Sequence, residues 1–204
     1  MNYIQFKRVF ANNTVLSLQD IFNVFPDFDQ RRLVEWQKKK YLKKIINRYY
    51  IFGDLEVDEH ILMRIANSIY KHSYVSLETS LSYYSLIPEA VYQITSCSTR
   101  KTKLLNTDIA SFRYQSINQK LFFGYTHKKV KDINVLIASP EKAILDYLYL
   151  NKYLNTEEAI AALRINIDTF AEIINEEKLN EYLEIFGNKK LTKRYNLLRK
   201  SIYA

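Results

Sequence analysis

Four carboxylates beyond residue 73, Glu78, Glu89, Glu141 and Asp146, are by type the residues that could transfer protons or bind a metal if two of them converged. Glu141 and Asp146 also have simple helical explanations, one near a helix N-terminus and the other on the polar face of an apolar helix. Cys97 could act as a nucleophile beside a distant His, but a small buried hydrophobe is the better description of a lone cysteine in an apolar strand. His60, His72 and His127 stand in unlike contexts, and with one Cys there is no ligand pair at zinc spacing. The run Asp54, Glu56, Asp58, Glu59 and His60 resembles a metal cluster, yet carboxylates at a helix start favour the helix dipole without any metal. Glycine occurs only at 53, 124 and 187, so there is neither a phosphate-cradling loop nor a dinucleotide fingerprint. No Ser sits in a nucleophile elbow. The expectation is a protein that is not an enzyme and has no cofactor and no metal.

Charge points elsewhere. Between Gln30 and Arg48 lie eight cations (Arg31, Arg32, Lys38, Lys39, Lys40, Lys43, Lys44, Arg48) against Glu35 alone, a local +7 in a chain whose formal total is +8. Such a cluster is the electrostatic footprint of a nucleic-acid surface. Its candidate DNA-binding residues are Arg31, Arg32, Glu35, Gln37, Lys38, Lys39, Lys43, Lys44 and Arg48. Arg and Lys can pair with guanine or phosphate, Gln with adenine, and Glu can accept from cytosine.

The elements that must carry those side chains can be read from the pattern. A short helix spans Asn2 to Asn12. Ser17 caps a second helix, with Asp20 at its third position and Pro26 closing it. Asp29 caps a third, and Phe28 and Leu33 have the spacing of a hydrophobic staple. On a helical wheel Leu33, Trp36 and the stem of Lys40 share one side, while Arg31, Glu35 and Lys38 share the other. Tyr41–Ile46 and Tyr49–Phe52 then read as two strands around Asn47-Arg48, a basic hairpin. Helix, helix, helix and basic hairpin in that order are the parts of a winged helix-turn-helix. The boundary falls after Gly53, with residues 1–53 as the DNA-binding domain and 54–72 as a linker helix whose core runs from Glu59 to Tyr70.

From residue 73 to 204 the pattern is mixed. Ser76–Ser85 reads as helix, and Tyr92–Thr99, Ile109–Tyr114, Leu121–Tyr125 and Val135–Ala138 read as strands. Ser139 and Pro140 open a strong helix, the Ser as cap and the Pro where a missing amide hydrogen costs nothing. Helices follow around Glu157–Arg164, Asp168–Asn175, Lys178–Phe186 and Leu191–Tyr203. The fold class is therefore α+β: a winged helix-turn-helix, then an α+β domain with a helical tail. The tail is acidic from Glu157 to Glu184 and then basic, with Lys189, Lys190, Lys193, Arg194, Arg199 and Lys200, which can pair with those acids or touch DNA or an acidic partner.

With 48% hydrophobic residues the chain can build ordinary cores. Charges interrupt every apolar run before the roughly 18 to 20 residues a bilayer requires. A single Cys and no amino-terminal signal pattern make a cytoplasmic protein the expectation.

Three blocks, SYVSLETSLSYYSLIPEAVYQITSCSTRKT from Ser73, LFFGY from Leu121 and IASPEKAILDYLYL from Ile137, occur in an order that closely resembles AbiEi-type antitoxins of type IV toxin–antitoxin, or abortive infection, systems. The resemblance covers Ser73 to Leu150 by sequence and Phe6 to Phe52 by pattern. It implies two tasks: repression of the protein's own operon by binding inverted repeats in double-stranded DNA, and neutralisation of a nucleotidyltransferase toxin, with or without direct contact. The family's marks fall on Glu78, Tyr83, Tyr84, Pro88, Thr95, Ser96, Thr99, Lys101 and the turn Ser139-Pro140-Glu141-Lys142. Thr99, Arg100, Lys101 and Lys103, a basic strand end that fits a core poorly, are the candidates for antitoxin function. This chain departs from the family in two places. Ser85 stands in a loop that often holds Gly, and no Gly lies between Thr102 and Tyr114, so those turns must be built differently. The alternative is a winged-helix regulator without a toxin, whose second domain senses a ligand or dimerises.

Overall fold

Asn2 and Ser17 start the first two helices in the same way, each side chain accepting from the third helical amide while the side chain of that third residue caps it in return. They open α1 (Tyr3–Val9) and α2 (Leu18–Val24), with the two-residue strand β1 (Leu16–Ser17) just before α2. The computed structural model describes residues 1–88, 92–130 and 133–203. Next come α3 (Arg31–Lys38) and the strands β2 (Leu42–Ile46) and β3 (Tyr49–Phe52), which form a small antiparallel sheet in the order β1-β3-β2.

Side-chain alternation gives that sheet two apolar faces. Leu42, Tyr50 and Phe52 join Phe6, Phe10, Ile21, Leu33 and Trp36 in one core. Phe6 lies at its centre, fully buried, with ring centroids 4.8 Å from Trp36 and 4.9 Å from Phe10. Ile45 and Ile51 on the other face join Ile61, Ile65 and Ile69 of α4 (Glu59–Ile69), a core that continues into the second sheet. The expected linker helix is thus packed on both of its neighbours. Its five buried residues are Ile61, Met63, Ile65, Ala66 and Ile69, and the Asp58 side chain caps it at the Ile61 amide.

The second sheet contains β4 (Ser73–Val75), β5 (Gln93–Ser98), β6 (Lys103–Asn106), β7 (Ser111–Ser116), β8 (Tyr125–Val130) and β9 (Ile133–Ala138), ordered β6-β7-β5-β4-β9-β8. The central β4 runs antiparallel to β5 and parallel to β9, and β5 runs parallel to β7. Val75, Ile94, Phe112, Tyr114, Val135 and Ile137 pack on the α4 side. Tyr74, Cys97 and Ala138 pack on the other, under α5 (Leu77–Tyr83) and α6 (Pro140–Leu150). Four helices finish the described chain: α7 (Glu157–Ala161), α8 (Ile167–Ile173), α9 (Glu176–Phe186) and α10 (Lys189–Ile202). The architecture is α+β, as the sequence pattern implied.

The strand expected over Leu121–Tyr125 is not there. Asn118 accepts from the Lys120 amide and starts a 3₁₀ turn over Gln119–Leu121, and Gly124 adopts φ +70, so β8 begins only at Tyr125. The aromatic residues that imitated a strand pack instead, Phe122 on Tyr74 and Phe123 on Tyr182 and Phe186.

Ser85 occupies φ +56, the left-handed region in which a glycine would be unstrained. The other glycine-free turn, between β6 and β7, is built by Thr107. Its hydroxyl accepts from the amides of Ile109 and Ala110 and donates to the Ala110 carbonyl, so no left-handed residue is required.

Candidate nucleic-acid interface

Helix α3 is anchored by Leu33 and Trp36, each about 2% exposed, and turns Arg31, Val34, Glu35, Lys38 and Lys39 outward. At 1.5 Å per residue its eight residues make a rod of about 12 Å. The cap at its start is the Asp29 side chain, which accepts from the Arg31 amide at 3.0 Å, although Gln30 is the flanking residue. The same carboxylate takes Arg31 Nε at 3.1 Å and is thereby held below the usual aspartate range. Glu35 receives Lys39 Nζ at 2.6 Å.

These contacts sort the candidates. Arg31 and Lys39 carry local counter-ions, and Gln37 donates its side-chain amide to the Leu33 carbonyl at 2.8 Å. Arg32, Lys38, Lys43, Lys44 and Arg48 make no ion pair among the described residues, and of these only Arg32 is less than fully outward. Lys43 and Lys44 lie on opposite faces of β2, the edge strand of the small sheet. Lys40 corrects the wheel reading: the helix ends at Lys38, and Lys40 is an exposed residue at φ +59 in the turn to β2.

Two backbone devices hold helix and hairpin together. Gly53 donates its amide to the Tyr41 carbonyl at 2.8 Å, and a Cβ there would lie 1.8 Å from the Lys40 carbonyl oxygen, so only glycine fits. Arg48, at φ +72 in the hairpin turn, accepts the Leu18 amide at 2.8 Å, which docks the hairpin tip on the start of α2. Tyr3 adds a third tie by stacking on Tyr41, with centroids 4.3 Å apart, and donating to its carbonyl. Sequence pattern located the cations but missed Gly53, the exposed Val34 and these ties.

Thr99, Arg100, Lys101 and Lys103 lie together on the connection from β5 to β6, with all but the half-buried Thr99 exposed. Tyr70, at the end of α4, organises them. Arg100 sits 4.8 Å and Lys103 5.7 Å from its ring centroid, and its hydroxyl donates to the Lys101 carbonyl at 2.8 Å. The Lys101 side chain is exposed, with no hydrogen bond or ion pair among the described residues.

Among the described residues the carboxylates do not converge into one site. Glu89 lies outside the described residues. Glu141 is buried, pairs with Lys178 at 2.9 Å and accepts the Asn175 amide. Burial pushes its carboxyl up, but the bonds from Lys178, Ser139 and nearby amides outweigh it and leave the group below the usual glutamate range. Asp146 is not on a polar face. It is fully buried and pairs with Lys142, itself fully buried four residues earlier on α6. Asp146 also accepts from the hydroxyls of Tyr74 at 2.8 Å and Ser76 at 2.9 Å. Lys142 Nζ donates to Tyr74 and lies about 5 Å from the Phe123 and Phe186 rings. Cys97 borders this network, and burial pushes its thiol well up, away from the reactive thiolate. The burial of Lys142 gave no sequence signal, because a helical Lys normally snorkels to solvent.

The acidic stretch after Gly53 is used locally, Asp54 by Lys7 and Asp58 by the start of α4. Among the described residues no group of three His, Cys, Asp or Glu side chains could hold a metal ion. In the tail, Arg194 is buried and donates to the carbonyls of Leu148 and Lys152, while Arg199 and Lys200 pair with Glu176 and Glu157. No described helix is long and apolar enough to cross a membrane.

No protein-family profile matches the chain, and no curated protein does. A solved structure does: the Rv2827c protein of Mycobacterium tuberculosis, with a TM-score of 0.61 at 12% identity, over 96% of this chain and 75% of that one. At that identity the likeness concerns the fold alone.

Proposed function

We propose that residues 1–53 form a winged helix-turn-helix that lays α3 in the major groove of double-stranded DNA and rests the β2–β3 hairpin on the neighbouring phosphates. The observation that carries this reading is the joint exposure of Lys38, Lys43, Lys44 and Arg48, unpaired among the described residues, on a helix and hairpin locked together at Gly53. Arg31 and Glu35 lie one turn apart on the outward face and are the candidates for reading base edges. Val34 between them offers an apolar contact of the kind a thymine methyl accepts. Lys43, Lys44 and Arg48 neutralise phosphate.

The resemblance to AbiEi-type antitoxins supplies the biological half of the proposal. The chain represses its own operon at inverted repeats and, through residues 73–204, counters a nucleotidyltransferase toxin in the cytoplasm without catalysing a reaction itself. The solvent-facing segment Thr99–Lys103 is the surface proposed for that second task. Footprinting on the DNA upstream of its own gene tests the repressor half: protection of two half-sites about 10 base pairs or a multiple apart supports it, and uniform coverage contradicts it. Co-expression with a neighbouring nucleotidyltransferase-like product tests the antitoxin half, growth rescue supporting it and unrelieved toxicity contradicting it.

A further inference from the structure

The helix-covered face of the large sheet is open above β5 and β7, where a cleft of about 460 Å³ lies over Thr95 and its register partner Arg113. Glu78 of α5, Tyr147 of α6, Tyr153 and Leu163 line it as well. The size falls in the range of about 300 to 1,000 Å³ typical of small-molecule sites. One oxygen of Glu78, Oε2, is closed to solvent and has no hydrogen-bond partner among the described residues. Arg113 is exposed and makes no ion pair among the described residues, so the two opposite charges line one cleft without meeting. The Thr95 hydroxyl is already engaged, donating to the Ser76 carbonyl and accepting from the Thr79 amide.

A buried carboxylate oxygen without a donor is costly, and a ligand N–H removes that cost once the Glu78 side chain turns this oxygen into the cleft. The occupant must bring donors to Glu78, an acceptor or anion to Arg113, and a flat body for tyrosine and leucine walls. We propose that this cleft binds a guanine nucleotide, with the adjacent N1–H and N2–H donors of the base on Glu78 and the phosphate on Arg113. Adenine fits less well, since beside its one amino group it turns the lone pair of N1 toward the carboxylate. A guanidinium carries the same pair of donors, but its charge is opposed by Arg113. The site lies apart from the basic helix and hairpin and needs no DNA.

Calorimetric titration of the full chain with guanosine monophosphate, guanosine and adenosine monophosphate tests this assignment. Saturable binding of the guanine nucleotide is expected, with the adenine nucleotide weaker by about tenfold or more. Glu78→Gln keeps the volume but turns an N–H donor toward the base, and is expected to weaken guanosine monophosphate by about tenfold or more. Arg113→Ala is expected to bring the nucleotide down to the affinity of guanosine while leaving guanosine unchanged. Ala162→Trp, on the exposed rim of the cleft, should block both ligands without touching the core. Thermal melting of each variant checks that it is folded. Absence of saturable binding at about 5 mM, a concentration that detects even millimolar affinity, overturns the proposal. So does equal affinity for the two nucleotides, or full binding by folded Glu78→Gln.

Discussion

Lys142 and Asp146, four residues apart on α6, form an ion pair with no exposure to solvent at either side chain. The Tyr74 hydroxyl joins both members, accepting from Lys142 and donating to Asp146 at 2.8 Å each, so helix α6 is tied to the central strand β4. Removing one member of such a pair strands the other in an apolar interior. Asp146→Leu or Lys142→Met is expected to cost about 3 to 5 kcal/mol, and the two replacements together distinctly less than the sum. Urea unfolding of the three variants measures this, and additive losses would mean the pair is not coupled.

Glu141 gives a pH dependence with a definite sign. Its folded carboxyl is held below the ordinary value near 4.5, so its contribution is fully present above that value and is lost as pH falls through the lower, folded one. Glu141→Gln should therefore lower stability at neutral pH and flatten the acid limb of the curve. A wild-type and a variant curve that stay parallel between about pH 5 and 3 would contradict it.

Ser85 sits at φ +56, where a Cβ is strained. Ser85→Gly should relieve about 0.5 to 1 kcal/mol of that strain after the entropy of the unfolded glycine is subtracted, and raise the melting temperature. A fall in the melting temperature would mean that the serine side chain stabilises the turn by more than its backbone strain costs.

Tyr70 clamps the proposed antitoxin surface through Arg100, Lys103 and the Lys101 carbonyl. Tyr70→Phe should cost about 0.5 to 1.5 kcal/mol through its lost hydrogen bond. Lys101→Ala, whose side chain makes no bond within the described chain, should leave stability within about 0.5 kcal/mol. In a toxin co-expression assay Lys101→Ala should nevertheless reduce growth rescue. Unchanged rescue by Lys101→Ala and Arg100→Ala would remove this segment from the proposed role.

The sequence revealed the amino-terminal elements because their signals are local. Ser17 with Asp20, the apolar spacing of Leu33 and Trp36, and the turn at Asn47-Arg48 each act within a few residues, and the structure has all of them. Ser139 and Pro140 announced α6 for the same reason. The large sheet was less legible. Its central strand β4 is three residues long, and β6 is an edge strand with exposed Lys103 and Leu104, so neither carries an alternating pattern. Phe122 and Phe123 have strand propensity but are claimed by ring packing. The burial of Lys142 and Asp146 depends on Tyr74 and Ser76, some 70 residues away, and no local pattern encodes it.

Gly53 links fold to interface. Gly53→Ala drives a Cβ into the Lys40 carbonyl and should destabilise the amino-terminal unit by about 2 kcal/mol or more, separating helix α3 from its hairpin. DNA affinity should fall even though no cation is removed. Wild-type affinity in Gly53→Ala would show that helix and hairpin need not be held in register.

The most direct measurement is fluorescence anisotropy of the protein on its own upstream DNA and on a shuffled duplex, at several salt concentrations, for wild type and for Lys38→Ala with Arg48→Ala. Preference for the native sequence is expected, with a steep salt dependence whose slope shrinks by about 0.9 for each phosphate that the variant no longer neutralises. Equal, weak binding to both duplexes, or a slope unmoved by the double replacement, would contradict the assignment of α3 and the β2–β3 hairpin as the DNA-binding surface.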